Sequence, residues 1–275
     1  MKVKALQRFR NKLAKDEPVS GLWITLEAPS LTEMAVALDL DYVVIDTEHG
    51  HLGWKEIAEH VRATVRSETV SIVRIQERDT AVTKRILDIG ADGIVVPGIE
   101  TVEQIEAALS DCLYPPEGRR GIGGERATVW GQAVVEHTNE ANEHALVIPL
   151  IESVTGAQNI AQLCQVEGID VFYFGPADFS ASAGFRGQWE GPGVAEQILE
   201  AKDVIRSAGK SCGLIAKSEE DLCLRREQGF RMLGLGSDAS MVLNSLHQRL
   251  RALGIDRHPS ASLDPNDAQP VPKGS

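Results

Sequence analysis

No run of 18 apolar residues occurs anywhere in the 275-residue chain, so no segment reads as a transmembrane helix. The opening MKVKALQRFRNKL lacks the apolar stretch of a signal peptide. The four cysteines, Cys112, Cys164, Cys212 and Cys223, form no CxxC pair and show no metal-ligand spacing. Positive charge is also scarce. Lys plus Arg number 28 against 40 Asp plus Glu, for a net charge of -12. So acidic a chain argues against a general nucleic-acid or anionic-membrane binder, while leaving room for a local basic pocket. Together these absences predict a cytoplasmic protein with reduced thiols.

What is present reads as one folded unit. Hydrophobic residues make up 43% and charged residues 25%, and the length suits a single barrel of ~250 residues with a large core. Eight apolar, β-branched runs recur: 19–26, 42–49, 70–75, 93–98, 146–153, 171–176, 211–217 and 231–237. Near-continuous apolar runs mark strands buried on both faces. Helical patterns lie between them at 32–38 (after a Ser30 cap), 54–65, 80–87, 102–110, 156–165, 194–208, 218–228 and 240–253. Several stop at a glycine suited to the left-handed cap: Gly90, Gly168, Gly209, Gly229 and Gly254. The alternation predicts an α/β fold, a (β/α)8 TIM barrel over 1–254, with an extra N-terminal helix at 4–15. A second extra helix is expected in the long connection 111–145. The Pro-, Ser- and Asp-rich tail, 255–275, reads as disordered.

In such a barrel the chemistry sits at the C-terminal ends of the strands. Glu152 and Asp178 stand at consecutive strand ends and can converge on a hard cation such as Mg²⁺ or Mn²⁺. Alternatively, Ser153 or Asp178 simply caps the next helix. Arg74 interrupts the apolar SIVRI. It serves either as a clamp on a substrate carboxylate or as a structural partner of Asp46 or Glu48. His49 follows Asp46 by three residues, and a carboxylate beside an imidazole fixes its tautomer and raises its basicity. Two other chemistries lack their residues. A His-rich amidohydrolase site needs further histidines at later strand ends. His144 precedes strand 5 on the wrong face, and His247 lies inside the last helix. A Schiff-base aldolase needs a lysine in the mouth, and Lys217 is the only candidate.

The stretches GLWITLEAPS (21–30), YVVIDTEHG (42–50), VRI (73–75) and LDIGADGIVVPGIET (87–101) resemble the HpcH/HpaI aldolases, the metal-dependent class II pyruvate aldolases. So do YPPEGRRGIG (114–123), IES (151–153), FGPADFSASAG (174–184) and GLGSDAS (234–240). The resemblance implies a divalent metal ion (Mg²⁺, Mn²⁺ or Co²⁺) held by Glu152 and Asp178. It implies His49 as base, oriented by Asp46, and Arg74 as the residue holding the keto acid and its enolate. The backbone around Ala177 and Asp178 would seat the carboxylate, with Ser153 alongside. It further implies a trimer-of-dimers homo-hexamer with an exchanged last helix and Asp88 reaching a neighbouring subunit's site. One departure stands out: members often carry Gln two residues before the metal Glu, and this chain has Leu150. The expected reaction is aldol cleavage of a 4-hydroxy-2-oxo acid to pyruvate and an aldehyde. The rivals are enolate condensation with another acceptor, as in citrate-synthase-like relatives, and an inactive keto-acid-binding barrel.

Overall fold

The computed structural model describes residues 2–256, so of the expected tail only Ile255 and Asp256 fall within it. Eight strands form a closed parallel barrel in sequence order. They are β1 (Val19–Ile24), β2 (Tyr42–Asp46), β3 (Val70–Arg74), β4 (Gly93–Val96), β5 (Leu146–Ile151), β6 (Val171–Phe174), β7 (Ser211–Ile215) and β8 (Met232–Ser237). The helices are α1 (Val3–Ala14), α2 (Pro29–Ala37), α3 (Trp54–Ala63), α4 (Thr80–Ile89), α5 (Val102–Cys112) and α6 (Val134–His144). Then follow α7 (Val154–Gln158), α8 (Ile160–Leu163), α9 (Pro176–Ser182), α10 (Val194–Ser207), α11 (Glu219–Glu227) and α12 (Asp238–Ala252). Among the described residues, no helix is long and apolar enough to cross a membrane.

Alternation along each strand divides the core in two. Outward residues such as Ile45, Val73, Ile94, Val147, Phe172 and Leu214 pack with Ile57, Val61, Ile86, Ile105 and Ile198 of the helices. Inward residues, including Val44, Ile72, Val95, Ile148, Leu150 and Tyr173, fill the barrel. The extra helix α1 joins this inner cluster through Ala5, Leu6, Phe9 and Leu13, beside the first inward residues Val19, Val70 and Leu146. It therefore plugs the N-terminal end, and Phe9 meets Tyr42 edge-on at 6.1 Å. Burying Leu6 and Phe9 is worth ~1.5–3 kcal/mol each. The interior admits two tyrosines because glycines face them: a Cβ at Gly21 would lie 2.3 Å from the Tyr42 ring, and one at Gly234 2.6 Å from the Tyr173 hydroxyl. With the N-terminal end closed in this way, the opposite end opens as the mouth.

The strands stop short of several apolar runs. β2 ends at Asp46 rather than at position 49, because Thr47, Glu48 and His49 leave the sheet to build the mouth. α2 begins at Pro29, whose fixed φ suits the first helical turn; Ala28 is its N-cap and Ser30 lies inside the helix. The helix expected over 156–165 is two pieces, α7 and α8, parted at Asn159, whose amide donates to the Glu100 carbonyl at 2.8 Å. The expected helix in the long connection is α6, preceded by a 3-10 turn at Arg126–Thr128. All five expected cap glycines have positive φ. α12 differs from the other long helices. It buries only Asp238, and Met241, Val242, Leu243 and Leu246 stay about half exposed.

Candidate active site

At the strand C-termini lies a cavity of about 260 Å³. It is lined by Trp23, Thr25, Asp46, His49, Arg74, Leu150, Glu152, Asp178, Trp189, Ile215 and Ser237, with the 173–177 turn. Arg74 is inward at the last position of β3, paired in register with Asp46 on β2. Its Nε and Nη2 grip the two Asp46 oxygens at 2.9 and 2.5 Å. Its Nη1 lies 3.0 Å from Glu48 Oε2, and its guanidinium covers the Trp23 ring at 4.9 Å. A buried guanidinium stays charged, so it requires this neutralisation. Arg74 is thus a structural ion pair that also lines the cavity.

Asp46 acts on His49 differently from the expected imidazole–carboxylate pair. Its Oδ1 accepts from the backbone N–H groups of Glu48 and His49 at 3.1 and 3.3 Å. The carboxylate thus folds the chain after β2 and is already taken up by Arg74, leaving none for the ring. Gly50 permits this turn, since a Cβ there would stand 2.5 Å from the Asp46 carbonyl. The His49 ring instead approaches Asp178, with Nε2 3.8 Å from Oδ2.

Glu152 follows β5, and its Oε1 accepts from the Gly98 N–H at 2.5 Å. Burial pushes its carboxyl up to about 7, against the Gly98 bond, with further elevation from nearby Glu48 and Asp178 and opposition from Arg74. Burial likewise raises Glu48. Asp178 lies in the first turn of α9, whose N-cap is Gly175, so its carboxylate does not cap the helix. Crowded carboxylates that repel one another fit a hard divalent cation, which would offset the charge. Among the described residues no group of three or more His, Cys, Asp or Glu is arranged to hold a metal ion. The fit therefore rests on two carboxylates, with other positions open to water and substrate oxygens.

Other expected residues fall elsewhere. Ser153 caps α7 by accepting from the Gly156 N–H at 3.0 Å and donates to Glu100 at 2.5 Å; it does not line the cavity. Asp88 pairs with buried Arg120 at 3.0 Å and borders a separate basic cleft with Lys55, Arg62, Lys84, Arg85 and Arg126. Lys217 is exposed, its ammonium 4.2 Å from the Trp189 ring centre, outside the cavity lining. Trp23, Tyr173 and Ile215 were not singled out from the sequence, although strand alternation places all three inward. Trp189 lies in an irregular connection that carries no such period.

The HpcH/HpaI aldolase/citrate lyase family model matches residues 19–245. The chain is 33% identical to the hydroxypyruvate/pyruvate aldolase of Pseudomonas aeruginosa over 94% of this chain and 97% of that one. It is 34% identical to the 4-hydroxy-2-oxovalerate aldolase of Novosphingobium aromaticivorans over 84% and 88%. A solved structure of an HpcH/HpaI aldolase/citrate lyase family protein from Burkholderia cenocepacia J2315 superposes with a TM-score of 0.85, at 29% identity, over 90% of this chain and 99% of the other. A closed barrel plugged by α1, a mouth of clustered carboxylates around a buried arginine, and these matches place the chain in the HpcH/HpaI aldolase/citrate lyase family.

Proposed function

We propose that this chain is a carbon–carbon lyase that reversibly cleaves a 4-hydroxy-2-oxo acid to pyruvate and an aldehyde. The observation that carries the reading is the convergence of Arg74, His49, Glu152 and Asp178 on one cavity. Glu152 and Asp178 would hold a divalent ion, Mg²⁺, Mn²⁺ or Co²⁺. When bound, it supplies Lewis-acid stabilisation of charge on the substrate's 2-oxo oxygen. Arg74 stands beside the same position, and its fixed guanidinium favours the negative charge that develops as the C3–C4 bond breaks. Bidentate pairing with Asp46 keeps it from swinging away. The N–H groups of Ala177 and Asp178, in the first turn of α9, have no acceptor of their own in the helix and suit the substrate carboxylate. His49 takes the C4 hydroxyl proton, the C3–C4 bond breaks and the aldehyde leaves, and that proton is then delivered to C3 of the enolate to give pyruvate. Run backwards, His49 removes a methyl proton from pyruvate and gives a proton to the C4 oxygen as the enolate adds to the aldehyde. Asp46 positions His49 through its backbone N–H.

The same reading takes the protein to be a cytoplasmic hexamer, a trimer of dimers that exchange α12, with Asp88 serving a neighbouring site. The apolar face of α12, about half exposed among the described residues, supports this. The reaction is tested by coupling pyruvate release from 4-hydroxy-2-oxopentanoate to lactate dehydrogenase. Turnover should vanish in EDTA, return with Mn²⁺, Co²⁺ or Mg²⁺, and be absent in Glu152→Ala and Asp178→Ala. Full activity in EDTA, with borohydride trapping of pyruvate on Lys217, would falsify this chemistry.

A further inference from the structure

The aldolase reading leaves the aldehyde open, and the cavity wall speaks to its class. Charged groups in the lining are confined to Asp46, His49, Arg74, Glu152 and Asp178. Arg74 is the one fixed cation among them, and Asp46 and Glu48 already engage it. The rest of the lining is largely apolar, with Leu150, Trp189 and Ile215 prominent. Its three hydroxyls, on Thr25, Tyr173 and Ser237, are all engaged, Tyr173 Oη accepting from Trp23 Nε1 at 3.1 Å. Thr25 Oγ1 donates to Asp238 at 2.7 Å, and Ser237 Oγ lies 2.9 Å from Ser240 Oγ within the α12 capping box.

Trp189 is fixed in this wall from two directions. Lys217 Nζ stacks 4.2 Å from the ring centre on one face. The next residue, Glu190, pairs with Arg225, which is only 6% exposed and also holds Asp221 at 2.8 Å. The irregular 183–193 connection is thereby stapled to α11, and an aromatic ring is held at the rim of the mouth. The Lys217 ammonium is spent on the ring and does not reach the lining.

We propose that Trp189, with Leu150 and Ile215, forms the acceptor wall and selects aldehydes bearing a compact apolar substituent, aromatic ones foremost. This rests on the aldolase reading. A second carboxylate or a phosphate on the aldehyde would meet the carboxylates of this lining, whose one cationic side chain is already paired. A polyhydroxylated chain would give up water and find hydroxyls already bonded, which costs more than it returns. A cavity of about 260 Å³ lies just below the ~300–1,000 Å³ usual for small-molecule sites, which favours a compact group.

The test is a panel of benzaldehyde, isobutyraldehyde, D-glyceraldehyde and succinic semialdehyde as acceptors for pyruvate, with exchange of pyruvate methyl protons in D₂O measured alongside. The aromatic acceptor should exceed glyceraldehyde and succinic semialdehyde in kcat/KM by at least about tenfold. Trp189→Ala should cut that ratio by about tenfold, and Trp189→Phe, which keeps a flat ring, should hold it within about threefold. Circular dichroism of both variants separates this from a folding defect. Proton exchange with a preference for the charged or hydroxylated acceptor overturns the acceptor wall but leaves the aldolase reading standing. An unchanged ratio in folded Trp189→Ala overturns the role of Trp189. Absence of exchange removes the aldolase reading itself, and the acceptor assignment with it.

Discussion

Arg74 is held on every side: Asp46 takes two of its nitrogens, Glu48 a third, and Trp23 lies beneath the guanidinium. A lysine keeps one charge but cannot supply this fork. Arg74→Lys should therefore lower kcat/KM for cleavage by ~10²–10³-fold, the range seen when a donor to a developing oxyanion is lost. Steady-state kinetics check this, and a loss under threefold would contradict it. Leu150 lies in the inner cluster, two positions before Glu152, and is 1% exposed. Leu150→Gln should tighten divalent-ion binding by ~10–100-fold if the amide reaches the ion's ligands, as measured by titration. His60 gives a pH prediction. It is fully buried, with Nδ1 2.8 Å from the Thr32 hydroxyl and Nε2 3.2 Å from the Leu26 carbonyl. Burial depresses its pKa below the usual 6.5. The unfolded chain then binds the proton more readily, so stability is full above about pH 6.5 and falls on acidification. Urea midpoints from pH 7 to 5 should fall less steeply in His60→Gln; His137, depressed to about 4, contributes the same sign in both proteins and cancels in the difference. The period of two along β2, β3 and β5 makes Asp46, Arg74, Leu150 and Glu152 legible as one inward set. It is silent on where the His49 ring turns, because that ring stands beyond the last strand residue, where turn hydrogen bonds decide its direction.

At the scale of elements, the barrel was legible because strands buried on both faces must be continuously apolar, and because glycine caps mark where helices stop. The departures have local causes. Asn159 splits one helix by donating to Glu100, and α9 is too short for a 3.6-residue period to show. The junction of β1 with α12 also depends on one side chain. Asp238 accepts from the Thr25 and Leu26 N–H groups at 2.9 and 3.0 Å and from the Thr25 hydroxyl at 2.7 Å. It is 2% exposed, so its loss leaves three partly buried donors without acceptors. Asp238→Ala should cost about 2–4 kcal/mol in denaturant unfolding. A change under ~0.5 kcal/mol would show that water replaces these bonds.

For the whole molecule, α12 poses the main question, because its apolar residues Met241, Val242, Leu243 and Leu246 stay about half exposed in the described chain. The exchanged-helix assembly predicts a hexamer by light scattering, and insoluble protein when the chain is cut before Ser240. A stable, active monomer would contradict it. The net charge of -12 did not foreshadow the basic cleft beside Asp88, since a sum over the chain hides local clusters. The central claim, that this barrel mouth generates a pyruvate enolate, is tested most directly by the methyl protons of pyruvate in D₂O, followed by ¹H NMR without any aldehyde. The account predicts rapid exchange with Mn²⁺ or Mg²⁺, loss of exchange in EDTA and in Glu152→Ala, and a fall of ~10²–10⁴-fold in His49→Ala. Exchange that is absent from the wild-type protein, or undiminished in EDTA and in Glu152→Ala, would contradict it.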